Sequence, residues 1–314
     1  MTPRTGSVTS TLLTRRARAL HRFLPLAIKG DDVGVHQARV ASRRLREAVP
    51  VLAGSLKNSK AGRASRKIRR LTQALGGVRE LDVTLHLLDE LAASDDFSRA
   101  ALQDVRLHVM EERERKREAM LSRLAEVDID KLNRRLESVA EALGRDETGM
   151  WRQVLGARLL KRAKWLSAAI DTAGQLYAPE HLHRVRIASK KLRYALELAA
   201  DSGVPSAAPH VRALKRTQET LGRLHDLQIL QGHVAAVQAA PLGRAVPHEG
   251  LGAIAGRIEE ECRRLHGKYV AHVEALRAVA EAIRTDIVPR LTRPRGRAVK
   301  MQLVKPRRAA ESTR

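Results

Sequence analysis

The stretch VHQARVASRRLREA, residues 35–48, recurs as LHRVRIASKKLRYA at residues 182–195. Paired positions lie 147 residues apart, so a histidine opens each copy and basic residues follow at the same places. Self-similarity at a fixed separation is typical of an internal duplication. The sequence therefore predicts two related halves.

Two further pairs of segments extend the repeat in both directions. LLTRRA at 12–17 matches LLKRAK at 159–164 with the same offset, and IRRLTQALGGVRELDV at 68–83 matches LKRTQETLGRLHDLQI at 214–229 with an offset of 146. The change of offset indicates that one residue was lost from a loop, where deletions are tolerated.

Composition and periodicity favour helices throughout the chain of 314 residues. Hydrophobic residues make up 43% and aromatic residues only 2%, and Ala, Leu, Arg and Glu are strong helix formers. No alternating strand pattern is present, and Gly, Pro and Asp clusters separate the periodic segments. Short connections favour antiparallel packing, so we predict an all-α fold of two tandem four-helix bundles. The predicted helices are 8–28, 33–53, 62–93 with a break at Gly76-Gly77, 97–126, 129–143, 148–176, 179–201, 206–239 and 249–290.

The predicted domain spans residues 8–291, with repeat 1 at about 8–143 and repeat 2 at about 147–291. The short helix 129–143 is expected to bridge the halves. From Thr292 onward the apolar period is lost and Arg, Lys and Pro are frequent. We therefore expect 292–314 to form a flexible basic tail.

The net charge restricts the class of partner. Lys and Arg number 59 against 35 Asp and Glu, which leaves +24 and an isoelectric point near 11.2. A field of this size indicates a polyanion such as nucleic acid, an acidic membrane surface or a phosphate polymer. Charge that serves solubility alone is the simpler alternative.

Cysteine and hydropathy point to a reducing compartment. Cys262 is the only cysteine, so neither an intramolecular disulfide nor a cysteine-based zinc site can form. No window approaches the length of a membrane span. The first thirty residues lack acidic side chains, as transit peptides do, but they belong to the repeat, so we expect a cytoplasmic protein.

We predict no cofactor and no metal, because His181 and His183 diverge at an i, i+2 spacing. The oligomeric state is not indicated.

The polar face of the repeated helix consists almost entirely of positively charged side chains. At about 100° per residue, Arg39, Arg43 and Arg46 fall within roughly 80° of His36, while Ala38, Leu45 and Val49 lie opposite. Exposed helix faces normally mix signs, because like charges four residues apart are destabilising. A departure repeated at equivalent positions favours a binding site. The candidate residues are Arg15, His36, Arg39, Arg43, Arg44, Arg46, Arg69, Arg70, Arg162, His183, Arg186, Lys190, Lys191, Arg193, Lys215 and Arg216.

The doubled pattern H-x-x-R-hydrophobic-A-x-R/K-R/K-L-R, at His36–Arg46 and His183–Arg193, resembles the CHAD family (conserved histidine α-helical domain). The L-G-x-x-R/H-D/E-L segments at Leu75–Leu81 and Leu221–Leu227 match the same family. The resemblance implies two helical bundles around a basic pore that binds inorganic polyphosphate, together with an association with polyphosphate granules. One departure is that Arg79 in the first copy corresponds to His225 in the second, so the halves need not bind equally.

Some family members also carry a CYTH triphosphatase domain, whose metal-binding signature is ExExK. Glu112, Glu114 and Lys116 match it, but on a predicted helix where that domain requires a strand, so we interpret the match as chance.

Two other functions stay open at the level of sequence. A nucleic-acid binder would use the same basic surface, although aromatic residues for base stacking are few; we expect nucleic acid to be a weaker competitor. An enzyme, either a polyphosphate hydrolase or a histidine phosphotransferase, would need a carboxylate to hold Mg²⁺ or to act as a base, and we expect none near the basic face. We therefore predict a non-catalytic polyphosphate-binding protein.

Overall fold

A computed structural model describes residues 5–293 except 55, 57–58, 95, 147 and 240–247. These residues form helices and contain no strand, which confirms the predicted all-α class. The predicted flexible tail lies outside them beyond residue 293. The helices are α1 (Thr5–Ile28), α2 (Asp32–Leu52), α3 (Ser59–Ala74), α4 (Gly77–Ala92), α5 (Arg99–Ala125), α6 (Ile129–Arg145), α7 (Trp151–Ala173), α8 (Pro179–Asp201), α9 (Ala207–Gln238), α10 (His248–Ala282) and α11 (Val288–Thr292).

Helix α6, which the sequence suggested as a bridge between the halves, completes the packing of the first half. α2 packs on α1 and α3, and α6 packs on the same two helices. Leu132, Leu136 and Val139 form the buried stripe of α6, so this helix needs an apolar partner along its whole length. The prediction that α6 bridges the halves was therefore incomplete, because the helix is a packed member of the first bundle.

The second half repeats this packing with fewer and longer helices. α8 packs on α7 and α9, while α10 packs on α9 and α7. The first half breaks at Gly76, between α3 and α4, whereas α9 runs unbroken through the corresponding Gly222. The break lets α4 leave the first bundle and pack with α5 against α9.

The halves meet in two places. At the first, α4 and α5 contact α9 and α10: Arg223 of α9 forms a two-pronged ion pair with Glu90 of α4. At the second, α2 contacts α7 and α8. We call this second contact the seam.

Two buried arginines tie the seam together in a reciprocal manner. Arg16 of α1 donates to the backbone carbonyl of Arg44 and, at 2.8 Å, to Asp201 in the other half. Arg162 of α7 donates to the backbone carbonyl of Lys191 and, at 2.6 Å, to Glu47 in the first half. Each arginine thus holds its own histidine helix and a carboxylate of the opposite half.

The end of the described chain contains a π-helical turn, Ile283–Ile287, which the sequence did not indicate. Val288 N–H donates to the carbonyl of Ile283, five residues back. The turn directly precedes Pro289, which has no N–H for a regular helical bond. Among the described residues, no helix is long and apolar enough to cross a membrane.

The buried pair at Glu47 predicts different effects for two arginines that the sequence pairs with each other. Arg162→Met should lower the free energy of unfolding by about 2–3 kcal/mol, because Glu47, which is 8% exposed, loses its closer cation and keeps only Arg158 at 3.5 Å. Arg15→Met should cost less than about 1 kcal/mol, because Arg15 is 61% exposed and Arg16 still neutralises Asp201. Urea unfolding of both variants measures the difference, and equal losses would contradict the structural role of Arg162.

Candidate functional site

The two histidine helices bury the faces that their sequences predict. Ala38, Ala41, Leu45, Ala48 and Val49 of α2 are all buried. The corresponding residues of α8 are buried as well, namely Val185, Ala188, Leu192, Ala195 and Leu196. Each apolar face packs into its own bundle, so the opposite, cationic face is left at the seam.

Cations from both halves come together there. Arg39 and Arg43 of α2 lie close enough to Arg186 and Lys190 of α8 for their charges to interact. We call these four residues the central cluster. Within the described chain, no carboxylate oxygen lies within 4 Å of their charged nitrogens.

Burial and mutual repulsion lower the pKa values of Lys190 and Arg39 in the central cluster. Burial, followed by the charges of Arg186 and Arg43, lowers the pKa of Lys190 to about 7. Burial and then Arg43 lower the pKa of Arg39 to about 10. Both shifts combine the cost of burying a charge with repulsion from the neighbouring cations.

In the first half, a backbone carbonyl helps to fix the position of Arg39. Arg39 donates to the carbonyl of Gly76, the N-cap residue of α4, at 2.6 Å. The corresponding Gly222 lies inside the continuous helix α9. Among the described residues, Arg186 has no hydrogen bond.

The histidines of the repeat each stand beside the residue that differs between the halves. Burial and then Arg79 lower the pKa of His36. The ring of His183 lies against that of His225 with centroids 4.7 Å apart, and burial followed by Arg186 lowers the pKa of His225 to about 4. His36 and His183 are therefore mainly neutral at pH 7.

Two carboxylates flank the central cluster at a longer distance. Glu80 of α4 attracts Arg39, Arg186 and His183, and lies 3.8 Å from Nε2 of His225. Asp226 of α9 attracts Arg186, although burial raises the pKa of this carboxyl. The expectation that the basic face has no nearby carboxylate was wrong, because the turns of α4 and α9 bring these residues from outside the repeated helix.

A cleft of about 560 Å³ opens at the seam between α1, α2, α8 and α9. Its cationic lining comprises Arg15, Arg16, Arg44, Arg212 and Lys215. Glu197 and Asp201 line it too, and they pair with Arg44 and Arg15. The cleft therefore has a mixed lining, unlike the central cluster.

A protein-family comparison matches residues 11–235 to the CHAD domain. This range holds both histidine helices and both flanking carboxylates. The chain belongs to the CHAD domain family.

Two solved structures share the fold of this CHAD domain. The CHAD domain from the plant Ricinus communis aligns with a TM-score of 0.60 and 25% identity over 88% of this chain and 92% of that one. PptA from Streptomyces chartreusis aligns with a TM-score of 0.63 over 86% of this chain and 99% of that one, at 16% identity. No match was found among curated proteins.

Several predicted site residues of the CHAD domain are engaged in contacts within the protein. Arg162 is committed to Glu47, and Arg46 lies near enough to lower the pKa of Arg162 further. Arg193 donates to Gln218 at 2.7 Å and pairs with Glu197. Lys191 lies over the ring of Trp165, with its Nζ 5.4 Å from the centroid.

The predicted cations of the third helix in each half do not share one location. Arg69 and Arg70 are exposed on α3, and Arg70 lines a separate cavity against α5. Lys215 lines the seam cleft, whereas Arg216, its neighbour on α9, is exposed and absent from that lining. Lys215 therefore lies at the seam cleft, whereas its counterpart in the first half, Arg69, lies elsewhere.

The sequence singled out Arg79 and His225 as a difference between the copies, but the candidate site residues included neither of them, nor the adjacent Glu80 and Asp226. They occupy paired positions in the two L-G-x-x-R/H-D/E-L segments. Their recurrence beside the histidine repeat could have identified them, because an acidic residue kept in both copies of a basic site is as unusual as the cations themselves.

The weakened proton affinity of Lys190 predicts how stability depends on pH. Its folded pKa, about 7, lies below its ordinary value of 10.5, so the unfolded chain binds more protons between these limits. The free energy of unfolding should therefore gain a rising contribution from Lys190 between pH 7 and 10. Urea unfolding of Lys190→Met should lack this rise, while Lys268→Met, at an exposed lysine of α10, should keep it. A wild-type slope in Lys190→Met would contradict the assignment.

Proposed function

We propose that this CHAD domain binds inorganic polyphosphate at the seam between its halves and does not cleave it. The observation that carries the proposal is the central cluster, in which cations from both halves approach one another with no carboxylate within 4 Å. Such a cluster is stabilised by an anion that supplies the missing charge.

The mixture of side chains suits a repetitive phosphate chain. Arg39 and Arg186 offer planar forks of donors that can contact two phosphate oxygens at once, while Lys190 is a compact and mobile charge. Neutral His36 and His183 can each donate a hydrogen bond, and a nearby phosphate would also favour their charged forms. None of these contacts requires a particular monomer sequence.

The seam cleft extends the proposed surface. Arg15, Arg44 and Lys215 line this cleft, so a chain that leaves the central cluster along α2 would pass them. The ion pair of Arg15 with Asp201 is largely exposed and therefore weak, so a phosphate can replace this carboxylate at small cost. Targeting to polyphosphate granules belongs to this same proposal.

Glu80 and Asp226 make hydrolysis a question for experiment. In the free protein they lower the repulsion within the central cluster, and both are surrounded by cations that compete with a metal ion for their oxygens. We therefore favour binding without cleavage. Release of inorganic phosphate from long polyphosphate in the presence of Mg²⁺, lost in Asp226→Asn, would instead establish a hydrolase.

Nucleic acid is the main competing ligand. Aromatic side chains near the seam are few: Tyr194 lies under Arg193 at 4.5 Å, and Trp165 is 47% exposed beneath Lys191. Single-strand binders use rows of such platforms. Long polyphosphate should displace bound DNA at equal phosphate concentration, and failure to do so would favour a nucleic-acid function.

The central cluster should carry most of the affinity. Long-chain polyphosphate should raise the melting temperature, because a ligand bound only to the folded state stabilises it. Replacing Arg39, Arg43, Arg186 and Lys190 together by Ala should abolish most of the rise without loss of helix content, as followed by thermal melts in circular dichroism. Affinity in the wild type should also fall steeply with salt.

A matched variant separates local from overall charge. It removes four exposed cations away from the seam, each changed to Ala: Arg18, Arg115, Arg134 and Lys268. This variant has the same net charge as the cluster variant and should keep most of the melting shift. Equal losses in the two variants would place the binding in the general field of the protein.

Proton uptake provides an independent check on the central cluster. Phosphate beside Lys190 favours the ammonium form, so its pKa should rise from about 7 on binding. Titration calorimetry at pH 8 in buffers of different ionisation enthalpy should detect protons taken up. Lys190→Arg, which stays charged, should bind with less uptake; unchanged uptake would show that Lys190 is not at the ligand.

A further inference from the structure

Away from the seam, three potential metal ligands meet where α5 of the first half contacts α9 of the second. His108 and Glu112 stand one turn apart on α5, and His233 lies on α9. One ligand atom from each residue lies within 4.8 Å of the other two. The proposed polyphosphate site uses none of these side chains.

The geometry is close to that of a bound ion. Nδ1 of His233 lies 3.6 Å from Oε2 of Glu112, and the rings of His108 and His233 lie 5.5 Å apart, edge to face. Ligands at about 2.0–2.2 Å from a tetrahedral zinc ion are separated by roughly 3.4 Å. Small rotations of the imidazoles would therefore bring all three atoms to bonding distance.

Burial and side-chain chemistry also suit a metal. The side chain of His233 is 11% exposed and that of Glu112 is 26% exposed, so the ligands are held by their surroundings while a path to solvent stays open.

A neighbouring lysine orients the carboxylate. Nζ of Lys116 lies 2.6 Å from Oε1 of Glu112, while the other oxygen, Oε2, faces His233. Ligating carboxylates are commonly fixed by such a second contact. Lys116 therefore occupies the oxygen that a metal would not need.

We propose that His108, Glu112 and His233 form a binding site for a divalent transition-metal ion of the zinc class. Two imidazoles and one carboxylate are ligands that zinc accepts, whereas Mg²⁺ and Ca²⁺ require sites made of oxygen. Three protein ligands leave a fourth position for water. The ion would link α5 to α9 and so fasten the two halves at a point remote from the seam.

Titration calorimetry of the full chain, stripped with a chelator and free of polyphosphate, tests this site with Zn²⁺ as the probe. We expect one Zn²⁺ per chain and a rise in melting temperature. Co²⁺ should give the visible absorption of a four-coordinate site. His233→Ala and Glu112→Gln should each weaken Zn²⁺ binding at least tenfold. Glu112→Gln preserves shape, so it should keep a normal melting transition even if His233→Ala unfolds.

Matched controls come from the same chain. His86 and Glu90 form an i, i+4 pair on α4, 3.8 Å apart, but no third ligand joins them among the described residues. His86→Ala should therefore bind Zn²⁺ as the wild type does, and so should His183→Ala. The fourfold cluster variant should also keep Zn²⁺ binding while losing polyphosphate, which separates the two proposals. Wild-type affinity in Glu112→Gln, or no binding at 100-fold excess Zn²⁺, would overturn the metal site.

Discussion

Repulsion between two like-charged helices is the constraint around which this CHAD domain is organised. α2 and α8 both turn cations toward the seam, where burial and then the charges of Arg186 and Arg43 lower the pKa of Lys190 to about 7. Such an arrangement persists only where other contacts hold the helices in place. Here the buried apolar faces of both helices and the reciprocal arginines, Arg16 and Arg162, offset the repulsion. Stability is thus supplied by the bundles, and the seam is left with unbalanced charge.

The reciprocal arginines also show how far a duplicated chain departs from symmetry. Arg16 and Arg162 perform the same task, since each binds the backbone carbonyl of an equivalent residue, Arg44 or Lys191. By sequence, however, Arg162 corresponds to Arg15. The residue that makes this contact is therefore shifted by one position along the helix. The partner carboxylates, Asp201 and Glu47, do not occupy equivalent positions of the repeat. For this pair of arginines, the acceptor carbonyl within each half is at an equivalent position, whereas the carboxylate in the other half is not.

Most of the fold could be predicted from the sequence, because helix periodicity and breakers are local properties. α8 has the bounds predicted for it, 179–201, and the break at Gly76 is present. The packing of α6 on α1 could not be predicted, since an apolar stripe shows that a partner exists but not which one. The π turn before Pro289 likewise depends on contacts with α7. For the site, the repeated face of α2 correctly indicated where the cations point. It could not indicate that Arg44 on this face would pair with Glu197 of the other half.

The difference between paired and unpaired cations explains why only part of the basic face is suited to an anion. Arg162 and Arg193 have their donors satisfied by Glu47 and Glu197, so an incoming phosphate would gain little there and leave a buried carboxylate exposed to repulsion. Among the described residues, no carboxylate forms an ion pair with Arg186 or Lys190. An incoming phosphate therefore does not have to displace one. Glu80 and Asp226 reduce the excess of positive charge in the central cluster from a longer distance, without forming ion pairs with it. The seam is therefore prepared for an anionic ligand by what the fold leaves unpaired.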